Sequence, residues 1–305
     1  MIPKPPPREG QIGFFYQPPF RIQGTSVAGE ATTIMVPELD VCFDMGLPLR
    51  CALPSKTVAI THGHMDHIGG LAYFASQRQF QGMGTATIVC DARIVDDIDT
   101  MMRGFNDLER QKTPYTLIGL SPGEEHPVKN NMVLRGFETE HTCPSFGWSI
   151  VEKRSKLKPE FVGLPQEKLR ELKERGTEIT HLLEVPLVAF TGDTLPGPYL
   201  VADDVRKAQI VVSECTFFEP GHKSRAKVGM HLHVDDIAEW IGVLECEALV
   251  LTHISRRSHM NLVRTRLDEV IPQAHRERVH VLMDHRTCRE RYEKQVLESE
   301  QEAQG

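Results

Sequence analysis

The sequence predicts an α/β fold in which short buried strands alternate with amphipathic helices and deliver polar residues at their carboxyl ends. Three observations carry this reading. First, the β-branched run 57–60 opens directly onto THGHMDH, so His62, His64, Asp66 and His67 fall within six residues at a strand end. Second, two later apolar runs repeat the design: 184–190 (EVPLVAF) ends in TGDT with Asp193, and 248–251 ends in Thr252-His253. Third, the stretches between such runs space their apolar residues as one face of a helix, for example Leu71, Phe74 and Ala75.

Composition bounds the function classes. With 305 residues, 40% hydrophobic and 25% charged, the chain suits one large domain or two small ones. A net charge of −7 gives no global basic footprint, so nucleic-acid binding needs a local patch. Seven scattered cysteines without a CxxC pair argue against a disulfide frame or a zinc ribbon. With no signal-peptide core and no apolar run long enough to span a bilayer, no membrane partner is expected, and the reading is of a soluble, cytoplasmic protein.

Taken in order, residues 1–20 are proline-rich and aperiodic, which suggests an extended arm. Strand-like pieces at 33–36 and 39–43 are separated by Pro37-Glu38 and predict a hairpin feeding the 57–60 strand. Helices are expected at 68–80 and at 94–108, the second burying Ile94, Ile98, Met101, Met102 and Phe105, with a strand at 87–90 between them. The strand expected at 132–137 leads to GFETEHTCPSFGW, which places His141 beside a turn-rich loop.

A strand starting at 148 runs into an insert, 152–182, whose first part (152–175) holds eight Lys or Arg against five Glu. Its 166–175 segment reads as a solvated helix with Arg170–Glu174 and Glu171–Arg175 pairs. Lys153, Arg154, Lys156 and Lys158 precede it in a proline-ended strand and are candidates for phosphate contact. The strand at 209–213 ends at Glu214, and Asp235 or Asp236 is expected to cap a helix that buries Ile237, Trp240, Ile241 and Leu244. His231 and His233 stand just before that cap. A helix at 262–270, a closing strand at 280–283 and a polar tail at 298–305 complete the chain.

The chemistry lies in the donors. Alternation puts His62 and His64 on one side of an extended segment, while Asp66 and His67 at the helical turn face another, which suggests two metals sharing a cleft. A mixed N/O donor set suits zinc or another borderline divalent cation.

THGHMDHIGG resembles the His-x-His-x-Asp-His signature of the metallo-β-lactamase superfamily. The resemblance implies an αββα sandwich of two mixed β-sheets with outer helices, formed as one domain over residues 21–297. It implies two divalent cations, zinc first with Mn2+ or Fe2+ as alternatives: His62, His64 and His141 on one, Asp66, His67 and His253 on the other, and Asp193 between them. Asp66 would also orient the attacking water.

Beyond the donors, Glu214-Cys215-Thr216-Phe217 and His231-Leu232-His233 resemble the Glu-Ala-Thr-Phe and Gly-His-Thr-His elements of the tRNase Z family. PELDVCFDMG, KLKPEFVGL, GTEIT, VAFTGDT and LTHISRR follow in the order and spacing of its short, plant-type branch. That implies an endoribonuclease removing the 3′ trailer from precursor tRNA, with His231 as proton donor, Glu214 orienting it, and Arg257 meeting a phosphate. It further implies a homodimer in which the 152–182 arm grips tRNA. Three positions depart from the family: Cys215 for alanine, Met230 for glycine and Ser258 for tyrosine. The competing expectation is a small-substrate hydrolase of the same fold, acting on a thioester, lactone or cyclic phosphodiester.

Overall fold

The computed structural model describes residues 12–302. Among them two seven-stranded mixed sheets pack face to face, with helices on their outer surfaces. The first sheet contains β1 (Gly13–Gln17), β2 (Phe20–Val27), β3 (Ala31–Val36), β4 (Val41–Phe43), β5 (Thr57–Ala59), β6 (Ala86–Asp91) and β7 (Tyr115–Leu120), paired in chain order. The second contains β8 (Glu125–Lys129), β9 (Met132–Glu138), β10 (Phe146–Leu157), β11 (Thr180–Phe190), β12 (Ile210–Glu214), β13 (Ala248–Thr252) and β14 (Val279–Val281), again neighbours in chain order.

Each sheet starts antiparallel and becomes parallel, at β4 in the first and at β11 in the second. Parallel neighbours need long crossovers, and the crossovers supply the outer helices. In the first half these are α1 (Met65–Ile68), α2 (Leu71–Phe80) and α3 (Val95–Glu109). In the second, α4 (Gln166–Glu174) belongs to the insert, followed by α5 (Asp203–Arg206), α6 (Lys223–Gly229), α7 (Val234–Trp240), α8 (Met260–Val270) and α9 (His285–Glu302). The expected αββα sandwich of two mixed sheets is the observed one, and each half of the chain gives one sheet.

Three apolar layers follow from this order. Phe15, Ile22, Phe43, Trp148, Phe190 and Val212 fill the space between the sheets, with Phe43 and Phe190 stacked at 5.0 Å. Two further layers lie under the helices of each half. Trp148 is fully buried and donates Nε1–H to the Ile60 carbonyl at 3.1 Å, and the Phe146 N–H donates to the Thr61 carbonyl at 2.9 Å. Both bonds clamp β10 to the turn that carries the histidine cluster. In α3 only Ile98 and Met102 are buried; Phe105, expected on the same face, is 43% exposed.

Several boundaries need correction. Of the expected arm at 1–20, residues 1–11 lie outside the described residues, but Gly13–Gln17 is a strand paired to β2, because Phe14 and Phe15 are buried there. The expected tail at 298–305 is helical as far as Glu302, since α9 continues and packs on β1 through an edge-on contact of Phe14 and Tyr292 at 5.4 Å. The insert at 152–182 is an extension of β10 and β11, whose strands stay paired from Glu152↔Val185 to Leu157↔Thr180. It carries α4, which has no buried residue and forms the expected Arg170–Glu174 pair at 3.0 Å. Neither Asp235 nor Asp236 is the cap of α7. His233 is, accepting from the Asp235 N–H at 3.2 Å while the Asp236 carboxylate accepts from the His233 N–H at 2.9 Å.

Candidate metal centre

The turns after β5, β9, β11, β12 and β13 converge on one cleft. Glycine makes two of the approaches possible. A Cβ on Gly46 would stand 1.7 Å from the Asp66 carbonyl oxygen, and Gly192, at φ +61°, would press a Cβ within 2.8 Å of Thr61. Asp44 and His253 take left-handed conformations without being glycine, both at φ 56°. Such strain, roughly 1–2 kcal/mol per residue, is held where geometry matters.

Asp193 Oδ2 is the centre of the constellation. It lies 3.3 Å from His67 Nε2, 3.2 Å from His253 Nε2 and 3.9 Å from His62 Nε2. Asp66 Oδ2 is 3.6 Å from His67 Nε2 and 3.4 Å from His253 Nε2. On the other side His64 Nδ1 is 3.0 Å from His62 Nε2 and 3.2 Å from His141 Nε2. Nitrogen and oxygen donors about 2.0–2.1 Å from a tetrahedral cation stand roughly 3.3 Å apart. The spacings fit one cation among His62, His64 and His141, a second among Asp66, His67 and His253, and Asp193 between them.

Hydrogen bonds fix the direction of the ring nitrogens. His67 Nδ1–H donates to Asp44 Oδ2 at 2.7 Å. Thr61 gives its hydroxyl proton to the Asp44 carboxylate at 2.9 Å, so its oxygen accepts from His62 Nδ1–H, also at 2.9 Å. Thr216 gives its proton to Glu214 Oε2 at 2.7 Å and accepts from His253 Nδ1–H at 3.0 Å. His141 Nδ1–H donates to the Met230 carbonyl at 3.0 Å. In the neutral ring each Nε2 then keeps a lone pair facing the cleft, the arrangement in which outer partners raise ligand basicity.

The field in the cleft is uneven. His67 Nε2 is fully buried and has no hydrogen-bond partner, an orphan that burial makes costly. Burial opposes charge on His67, but Asp193 and Asp44 outweigh it and hold its pKa well above the ordinary histidine range. Burial, together with the neighbouring imidazole of His67, pushes His62 well below that range, and burial lowers His141. Burial opposes ionisation of Asp193, yet His253 and His67 keep its carboxyl well below the usual range.

His231 stands beside this set. Its Nδ1–H donates to Glu214 Oε1 at 2.9 Å, and Nδ1 is 4.0 Å from Asp193 Oδ2. Although burial works against it, Glu214 and then Asp193 push its pKa up to about 9. Glu214 is buried and held by the Thr194 N–H at 2.8 Å and the Thr216 hydroxyl. His231 lines an open cavity of about 500 Å³ whose walls include Leu195, Lys223, Lys227 and Asp236.

The arm residues do not reach the cleft. Lys153 lies seven residues along β10 from Phe146, roughly 23 Å at about 3.3 Å per residue. Its ammonium is committed to Glu125, and Arg154 pairs with Glu152 at 2.5 Å. In both, a neighbouring carboxylate holds the charged group. Lys158 pairs with the exposed Glu178 at 3.3 Å, whereas Lys156 stays exposed and outside these ion pairs. Arg257 is exposed on the loop that follows His253. Asp44, Thr61 and Thr216 were missed from the sequence; an aspartate ending a strand in VCFDMG was the only signal for the first.

Residues 45–254 match the beta-lactamase superfamily domain. The chloroplastic tRNase Z of Arabidopsis thaliana is 31% identical over 249 residues, covering 80% of this chain and 70% of that protein. A second tRNase Z of the same plant is 32% identical over 242 residues, covering 78% and 86%. The crystal structure of the short form of human tRNase Z superposes with a TM-score of 0.56 at 18% identity, covering 81% of this chain and 93% of that one, a likeness of fold.

Proposed function

The chain belongs to the tRNase Z family of the β-lactamase superfamily, and from that membership we propose that it is a metal-dependent endoribonuclease that removes the 3′ trailer from precursor tRNA. The observation that carries the reading is the Glu214–His231 pair, 2.9 Å apart, set beside the seven-donor cleft. Hydrolysis of an activated small ester needs no such donor. A departing ribose 3′-oxygen does, because its conjugate acid pKa is high.

His62, His64, His141, Asp66, His67, His253 and the bridging Asp193 would hold two divalent cations, zinc first. Bound there, such cations supply Lewis-acid charge that acidifies a water and stabilises the oxygens of an in-line displacement. Asp66, only partly buried, orients the attacking water. The water oxygen adds to phosphorus as the bond from phosphorus to the ribose 3′-oxygen breaks. His231 gives its proton to that oxygen, so the tRNA ends in a 3′-hydroxyl and the trailer in a 5′-phosphate. Glu214 holds the imidazole in the tautomer and orientation that this transfer requires.

The arm at 152–182, with Lys153, Arg154, Lys156 and Lys158, and Arg257 on the loop after His253 provide the contacts to tRNA phosphates. Because the arm extends roughly 20 Å from its own cleft, we assign a homodimer in which each arm serves the partner's cleft. Among the described residues no helix is long and apolar enough to cross a membrane. All seven cysteines are free thiols, which suits a reducing compartment such as the cytoplasm.

The test is incubation of the purified protein with a trailer-bearing precursor tRNA and analysis of the new ends. A single cut after the acceptor stem with the end groups above is expected. His231→Ala should retain its cations and lose about two to four orders of magnitude in rate. Cleavage at the parental rate by that variant would remove His231 as the donor.

A further inference from the structure

We propose that Cys143 is a sulfur ligand of the cation held by His62, His64 and His141, adding a thiolate to the three imidazole nitrogens and the carboxylate of Asp193. The inference rests on the reading of the cleft as a metal centre and assigns it a residue beyond the seven donors. Cys143 Sγ and one ring nitrogen each from His62 and His64 all lie within 4.8 Å of one another. The loop between β9 and β10 explains why. Thr139 and Ser145 close it, hydroxyl to hydroxyl at 2.7 Å and N–H to carbonyl at 3.3 Å, so His141 and Cys143, two residues apart, come to the same donors.

The other cysteines set Cys143 apart. Cys42, Cys90, Cys215, Cys246 and Cys288 are buried, and none of them, nor Cys51, joins a donor cluster among the described residues. His62 Nε2 and His64 Nδ1 stand 3.0 Å apart beside Cys143, close to the spacing of two nitrogens on one cation. Sulfur and nitrogen on one tetrahedral cation stand roughly 3.6 Å apart, so the half-buried Cys143 closes the remaining gap by turning about its side-chain bond. The thiol proton leaves to solvent as the cation binds. Three imidazoles with a thiolate select zinc, cobalt or cadmium over manganese, because the soft sulfur favours thiophilic ions.

Cobalt loading of the full chain tests this. The cobalt protein should show a near-ultraviolet sulfur-to-cobalt charge-transfer band that is absent from Cys143→Ser, and the variant should bind cadmium about tenfold or more weakly with manganese binding unchanged. Peptide mapping of iodoacetamide labelling in the unaltered protein gives a second reading: zinc should protect Cys143. Cobalt bound without the band, the same band in the variant, or equal labelling with and without zinc would each overturn the sulfur ligand. Failure of the unaltered protein to bind any cobalt would overturn the metal-centre reading itself, which separates the two.

Discussion

Glu214 Oε1 receives the Nδ1–H of His231 at 2.9 Å, while Oε2 of the same carboxylate receives the Thr216 hydroxyl that in turn supports His253. One buried carboxylate thus fixes both the candidate proton donor and a candidate metal ligand. The two roles separate by pH. His231 has its pKa raised to about 9, against burial and by Glu214 first, so its protonated form persists at neutral pH and is lost as pH rises through that value. Cations on the neighbouring donors push the other way, which places the alkaline limb of the rate at or below about 9. Glu214→Gln should move that limb to lower pH, read from kcat/KM against pH.

Asp44 is the outer partner of two candidate ligands, directly for His67 and through Thr61 for His62. Asp44→Asn removes the charge that orients both rings. Cation binding should weaken by about 10–100-fold, measured by competition with a chromogenic chelator, with the far-ultraviolet circular dichroism retained.

Met230 adopts φ 56° and ψ 49° at the end of α6, a conformation that favours glycine. A left-handed conformation costs an L-residue roughly 1–2 kcal/mol, part of which glycine returns through its freer unfolded chain. Met230→Gly should therefore stabilise the protein by about 0.5–1 kcal/mol, a Tm rise of roughly 1–4 °C by calorimetry. The Met230 carbonyl that accepts from His141 remains in the variant.

The arm's charges are unequal. Lys153 is tied to Glu125 and Glu184, Arg154 to Glu152, and Lys156 to no carboxylate among the ion pairs. Lys156→Ala should weaken tRNA binding and reduce the slope of log affinity against log salt by about 1. Lys153→Ala should alter that slope less, and an equal effect from both would contradict the pairing.

The site was legible because its donors sit in short motifs at the ends of apolar strands, where alternation and turn chemistry leave few alternatives. His62, His64, Asp66 and His67 were named from their own motif and His141, Asp193 and His253 from the family resemblance, and the structure brings the seven together. Asp44 was not legible: its role depends on β4 running beside β5, a pairing no local pattern encodes. Nor were β7 and β8, whose residues are mostly half-exposed and mix polar with apolar side chains at sheet edges. The helix α6 buries only Ala226, so it has no apolar period to read. The start of β1 was hidden by the prolines on either side of it, and α9 by its polar composition, since only Cys288 is buried.

The most direct test counts the divalent cations bound per chain while following cleavage of a trailer-bearing precursor tRNA through chelation and zinc return. About two cations per chain are predicted, with activity lost on stripping, restored by zinc, and abolished with the cation count reduced in Asp193→Ala. Cleavage that continues in excess chelator, or a native chain that binds no divalent cation, would contradict the account.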